Sequence, residues 1–130
     1  MKHPIHSDAA PKPGGPYSPA MRVGDLVFTA GQGPIDPVTG VVVGDTIEEQ
    51  AELTIDNLSA LLEAAGTSLE HTIKATVHLA DLADFQAFNA VYERRFPDPK
   101  PVRTTVGSRL LGIMVEIDLI AEIPLGTRSP

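Results

Sequence analysis

The sequence predicts an α+β domain of order ββαβαββ, a sandwich of one mixed sheet with two helices on one of its faces. Two observations predict it. Two segments repeat apolar residues every three or four positions, and the segments around them alternate apolar with polar residues. A chain of 130 residues is about one domain long. At that size roughly two-thirds of the unfolded surface is buried, so a core forms without disulfides or metal.

The elements follow in order. Residues 1–14 are rich in proline, histidine and small polar residues, and read as a flexible segment ahead of a single domain spanning 15–124. "GGPYSPA" (Gly14 to Ala20) is turn chemistry around Tyr17. Met21–Val23 and Leu26–Ala30 form a hairpin across Gly24-Asp25, and Gly31 to Gly40 is a loop with three glycines and two prolines. Val41 to Val43 is a short strand or a loop wall.

Thr46 followed by Glu49 is a capping box. From there Ile47, Ala51, Ile55, Leu58, Leu62 and Ala65 make one helical stripe, and Gly66 stops it. Thr72 to Leu79 is a half-buried strand, with Ile73, Ala75, Val77 and Leu79 inward. Asp81 and Asp84 compete to cap a second helix whose stripe is Phe85, Phe88, Tyr92 and Phe96, and Pro97 ends it. Val102 to Gly107 is a strand, Val115 to Ile123 is another, and residues 125–130 are a tail.

If every strand points its apolar residues at the helices, the opposite sheet face carries Lys74, His78, Arg103, Thr105, Glu116 and Asp118, together with Val27 and Ile120. A face that is half apolar predicts an oligomer. Arg103 and Glu116 share that face, and two readings of the pair stay open. One is a cross-strand ion pair, worth under about 1 kcal/mol if exposed. The other gives the Arg103 fork to a substrate carboxylate and water and proton handling to Glu116. Taken by themselves, Tyr17 between two prolines reads as a loop anchor and Asn89 as a surface amide.

Several functions are disfavoured. The chain has no cysteine, which removes thiolate nucleophiles and Cys-based zinc sites, and its four histidines lack metal-ligand spacing. Net charge is −7, and no Lys/Arg run is longer than Arg94-Arg95, so the footprint of a nucleic-acid binder is missing. The glycine-rich loop has neither the Walker nor the dinucleotide pattern. The sequence shows no apolar leader or spanning segment, and cytoplasm is the expectation.

Six blocks in order carry a resemblance: "GPYSPA" (Gly15–Ala20), "VGDLVFTAGQGPIDPVTG" (Val23–Gly40), "EEQAELTIDNLSALLEAAG" (Glu48–Gly66), "DFQAFNAVYERRF" (Asp84–Phe96), "PVRTTV" (Pro101–Val106) and "VEIDLIA" (Val115–Ala121). The chain resembles the RidA family of reactive intermediate deaminases, formerly called YjgF and often described as L-PSP endoribonucleases. The resemblance implies a chorismate-mutase-like fold and a homotrimer with clefts between subunits. It implies hydrolysis of enamines and imines such as 2-aminoacrylate to a 2-keto acid and ammonia, as in 2-iminobutanoate/2-iminopropanoate deaminases, with no cofactor and no metal. It makes Arg103 the carboxylate anchor and Glu116 the acid/base, and brings Tyr17, Gly31, Asn89 and Thr105 to the cleft.

This chain departs from the family at Ala30, where many characterised deaminases have Ser, and at Thr105, where they have Cys. Its turn between Arg103 and Glu116, with "SRLLG" at Ser108–Gly112, is one or two residues shorter than usual. A non-catalytic binder of 2-keto acids is the alternative reading, and an endoribonuclease ranks below it because the net charge repels phosphate backbones.

Overall fold

The computed structural model describes residues 1–127. Six strands form one mixed sheet in the order β1-β2-β3-β6-β4-β5. The strands are β1 (Lys2–Ile5), β2 (Ala20–Val23), β3 (Leu26–Thr29), β4 (Thr72–Leu79), β5 (Val102–Gly107) and β6 (Val115–Glu122), and the helices are α1 (Ile47–Ala64) and α2 (Phe85–Arg95). Only the β4–β5 pair is parallel, as a strand–helix–strand crossover requires. Both helices pack together, and α1 lies against β6. Leu58, Leu61 and Leu62 of α1, Phe88 and Val91 of α2, and Val77, Ile117 and Leu119 of the sheet are closed to solvent.

Local chemistry places the helices as the sequence predicts. The Thr46 hydroxyl accepts from the Glu49 amide at 3.1 Å, and Gly66 ends α1 at φ +91. Asp81 instead caps a short 3-10 turn, accepting from the Ala83 amide at 2.9 Å, and α2 begins at Phe85 without a side-chain cap. Arg95 ties α2 to α1 through Glu52 and Asp56, both at 2.6 Å. Val41 to Val43 is loop wall, with one bridge from Val42 to Ile35.

Three expectations are corrected. The first residues are not a flexible lead: Lys2–Ile5 pair antiparallel with β2, and Ala10 is buried in the core. Pro4 hides this strand from a sequence reading, because proline is excluded from central strands yet tolerated at a sheet edge. Residues 125–127 of the tail form a 3-10 turn, and 128–130 lie outside the described residues.

The second correction concerns faces on β3 and β4. Val27 is fully buried on the helix side, and Phe28 faces outward opposite Ile120. A register shift between Thr72 and Lys74 turns Ile73 outward and Thr72 inward.

The third correction matters most. On β5, Arg103 lies beside Ala75 and Thr105 beside Val77, both buried under the helices. Arg103 and Thr105 therefore share the helix side, while Val102 and Val106 are exposed on the other. The apolar-inward rule fails here because β5 is the sheet's edge, where the aromatic stripe of α2 gives a cation something to lie against.

Candidate functional site

Glu116 remains on the open face, because its neighbours Val115 and Ile117 are buried on the helix side. Strand β4 separates β5 from β6, so Arg103 and Glu116 sit two strand spacings apart, about 10 Å, with side chains on opposite faces. A cross-strand ion pair between them is excluded. The site residues fall into two groups.

The first group surrounds Arg103. Its guanidinium carbon lies 4.7 Å from the ring centroid of Tyr92, 5.7 Å from Phe85 and 5.8 Å from Phe88. Rings are its only partners, since among the described residues it makes no ion pair and no hydrogen bond. Contact with rings attracts the cation without using the donors of its fork. Asn89, Tyr92, Glu93, Lys100, Pro101 and Arg103 line a shallow recess at this point. Beside the cation, Asn89 Oδ1, Tyr92 Oη and Thr105 Oγ1 are buried without a hydrogen-bond partner. A fourth such atom, Thr72 Oγ1, lies at the start of β4. Buried polar atoms are ordinarily paired, so the three on α2 and β5 call for an explanation. A ligand supplies one.

The second group is built on the loop after β3. Gln32 and Ile117 exchange two backbone hydrogen bonds, at 2.8 and 3.0 Å, which lays Gly31 beside β6. The buried Asn57 amide fixes the loop from α1, donating to Gly33 O at 3.0 Å and Ile35 O at 2.9 Å. Gln50 does the same two turns earlier, donating to Gly44 O and accepting from the Met114 amide. A Cβ on Gly31 would stand 2.3 Å from Glu116 Oε1 and 2.9 Å from its Cδ. The carboxylate occupies the space that a glycine leaves. Tyr17 and Gly31 line a groove of about 490 Å³, and Tyr17 Oη accepts from the Gly14 amide at 3.1 Å. The hydroxyl thus anchors the loop at Gly14 while the residue borders the groove.

The family model described as Endoribonuclease L-PSP matches residues 7–123. The chain belongs to the RidA (L-PSP) family. It is 47% identical over 124 residues to a RutC family protein of Saccharolobus solfataricus, covering 94% of this chain and 98% of the relative. It is 37% identical to the chloroplastic Reactive Intermediate Deaminase A of Arabidopsis thaliana, over 94% of this chain and 66% of that protein. The crystal structure of RidA from an Antarctic Psychrobacter aligns with a TM-score of 0.89 at 37% identity, covering 93% of this chain and 99% of that one. The fold expectation stands: two helices on a mixed sheet, in the RidA architecture.

Gly31 offers a direct probe of Glu116. Its backbone is not in the left-handed region, so alanine costs the loop no strain, and the atoms a methyl would meet are the far end of a side chain. Gly31→Ala should fold normally and displace the Glu116 carboxylate. If Glu116 supplies general acid–base help, turnover should fall about ten- to a hundredfold. Thermal unfolding and steady-state rates, measured together, check this; full activity would mean that the carboxylate position is immaterial.

Proposed function

We propose that this RidA-family chain hydrolyses small enamines and imines of 2-keto acids, such as 2-aminoacrylate, to the keto acid and ammonia. The observation that carries the reading is the unpaired Arg103 fork among the orphaned atoms of Asn89, Tyr92 and Thr105. A carboxylate gives Arg103 a bidentate partner. The enamine takes a proton on its terminal carbon to become the imine. Water then adds to the C=N carbon, and the carbinolamine expels ammonia. Glu116 accepts a proton from the attacking water and returns one to the departing nitrogen. These steps already run in water, so orientation and one acid/base suffice.

Since the two groups lie on opposite faces of one sheet, the reading takes Arg103 from one subunit and Tyr17, Gly31 and Glu116 from its neighbour. A homotrimer with shared clefts does this. The open face that would meet other copies carries exposed Phe28, Val102 and Val106 near Lys74, His78 and Asp118. Burial pushes the Asp118 carboxyl up, against the opposing pull of His78, Lys74 and a Thr76 hydrogen bond. No helix is long and apolar enough to cross a membrane among the described residues, and the reading keeps the cytoplasm as the place of action. RNA cleavage, named in the family's description, gains nothing from a net charge of −7.

The test follows ammonia release from freshly generated imines by wild type and Glu116→Gln, with native mass spectrometry on both. The glutamine variant should stay trimeric and bind a 2-keto acid, and should lose about a hundredfold or more in turnover. A monomer, or undiminished turnover, would sink the shared-cleft mechanism.

A further inference from the structure

Tyr92 is 5% exposed, with its ring stacked on Phe96 at 4.4 Å between centroids and tilted against Phe88 at 5.7 Å. A phenol packed this way normally finds an acceptor for its hydroxyl. This one has none. Phenylalanine would make the same ring contacts without burying an unsatisfied group, so core packing does not account for the oxygen. Two further observations point outward from the core. Tyr92 lines the recess that Arg103 and Asn89 also line, and its ring lies closer to the guanidinium than either phenylalanine does. Lys100, the other cation of the recess, is already engaged: its ammonium donates to Glu93 O and Phe96 O at the end of α2.

We propose that Tyr92 is a ligand-binding residue of this site, its ring backing the Arg103 fork and its hydroxyl donating a hydrogen bond to the bound 2-keto acid or imine. The proposal rests on the function proposed above and adds a donor to it. A carboxylate offers about four lone-pair sites and the Arg103 fork fills two, which leaves room for an O–H donor approaching from the ring side. Burial raises the Tyr92 pKa to about 12 despite the nearby positive charge of Arg103. The hydroxyl therefore keeps its proton and acts as a donor throughout the neutral range.

Tyr92→Phe and Tyr92→Leu separate hydroxyl from ring. The probe is 2-oxobutanoate, titrated calorimetrically, with thermal unfolding of the ligand-free proteins alongside. Tyr92→Phe should weaken binding about five- to twentyfold. It should also raise the Tm by a few degrees, because an unpaired buried group has been removed. A hydroxyl with a purely structural role would shift neither quantity in that direction. Tyr92→Leu should weaken binding further and lower the Tm, since the plate behind Arg103 and a stacked core ring are both lost. If Tyr92→Phe binds like wild type, or unfolds at a lower temperature, the assignment is wrong while the proposed function stands. A wild type that binds no 2-oxobutanoate overturns both.

Discussion

Arg103→Lys is expected to be nearly as damaging as Arg103→Ala, with kcat/KM on carboxylate-bearing imines falling about thirty- to a thousandfold. The reason lies in how the guanidinium is held. It makes no hydrogen bond within the described chain, and lies instead over Tyr92 at 4.7 Å with Phe85 and Phe88 behind it. A cation held among three rings has its position set before a ligand arrives. An ammonium keeps the charge and loses the plane, so it meets one carboxylate oxygen at a time and leaves the reacting carbon misoriented. The loss corresponds to about 2–4 kcal/mol of transition-state stabilisation. Folding should survive, because a half-buried cation–π contact contributes only about 0.5–2 kcal/mol. Substrates without a carboxylate should react slowly with wild type and respond little to the substitution. Near-normal activity in Arg103→Lys would reduce Arg103 to diffuse positive charge.

Two inactive chains should restore one another. Arg103→Ala lacks the anchor but keeps the Tyr17–Gly31–Glu116 group, and Glu116→Gln has the opposite defect. If each cleft draws one group from each of two neighbours, random mixing at equal amounts leaves about one cleft in four with both groups intact. Co-refolding the two variants should lift the rate from near background to about a quarter of wild type. Subunits mixed without exchange should stay inactive, and this is the control. A co-refolded mixture that remains inactive, with hybrid trimers visible by native mass spectrometry, would mean that each cleft is built within one chain. The opposite-face placement of Arg103 and Glu116 argues against that outcome.

Much of the architecture was legible. Val115, Ile117, Leu119 and Ala121 alternate without interruption and are all buried, and the Thr46–Glu49 box starts α1 where it was expected. Strand β5 was not legible from periodicity. Val-Arg-Thr-Thr-Val-Gly has apolar residues on the face that turns outward, and only the aromatic stripe of a separate helix explains why the arginine turns in. That stripe itself reads as core, and nothing in the spacing of Tyr92 separates a satisfied phenol from an orphaned one. Gly31 was placed by resemblance alone. Its requirement for a missing Cβ is a contact between a loop and a strand some eighty-five positions later, read from tertiary structure.

The edge position of β1 bears on how the chain behaves in concentrated solution. A sheet rim with a full row of free amides and carbonyls is a template on which other chains can polymerise. Here the outermost strand carries Pro4, which has no amide hydrogen to offer a newcomer. The far rim is approached through Pro97, Pro99 and Pro101, so β5 too begins where proline discourages lateral growth. Without its first five residues the sheet would end at β2, an edge with no proline and with Met21 and Val23 at least partly open to solvent. The short N-terminal strand thus works as a stopper against fibre-like stacking, separate from any part it plays in the fold's stability.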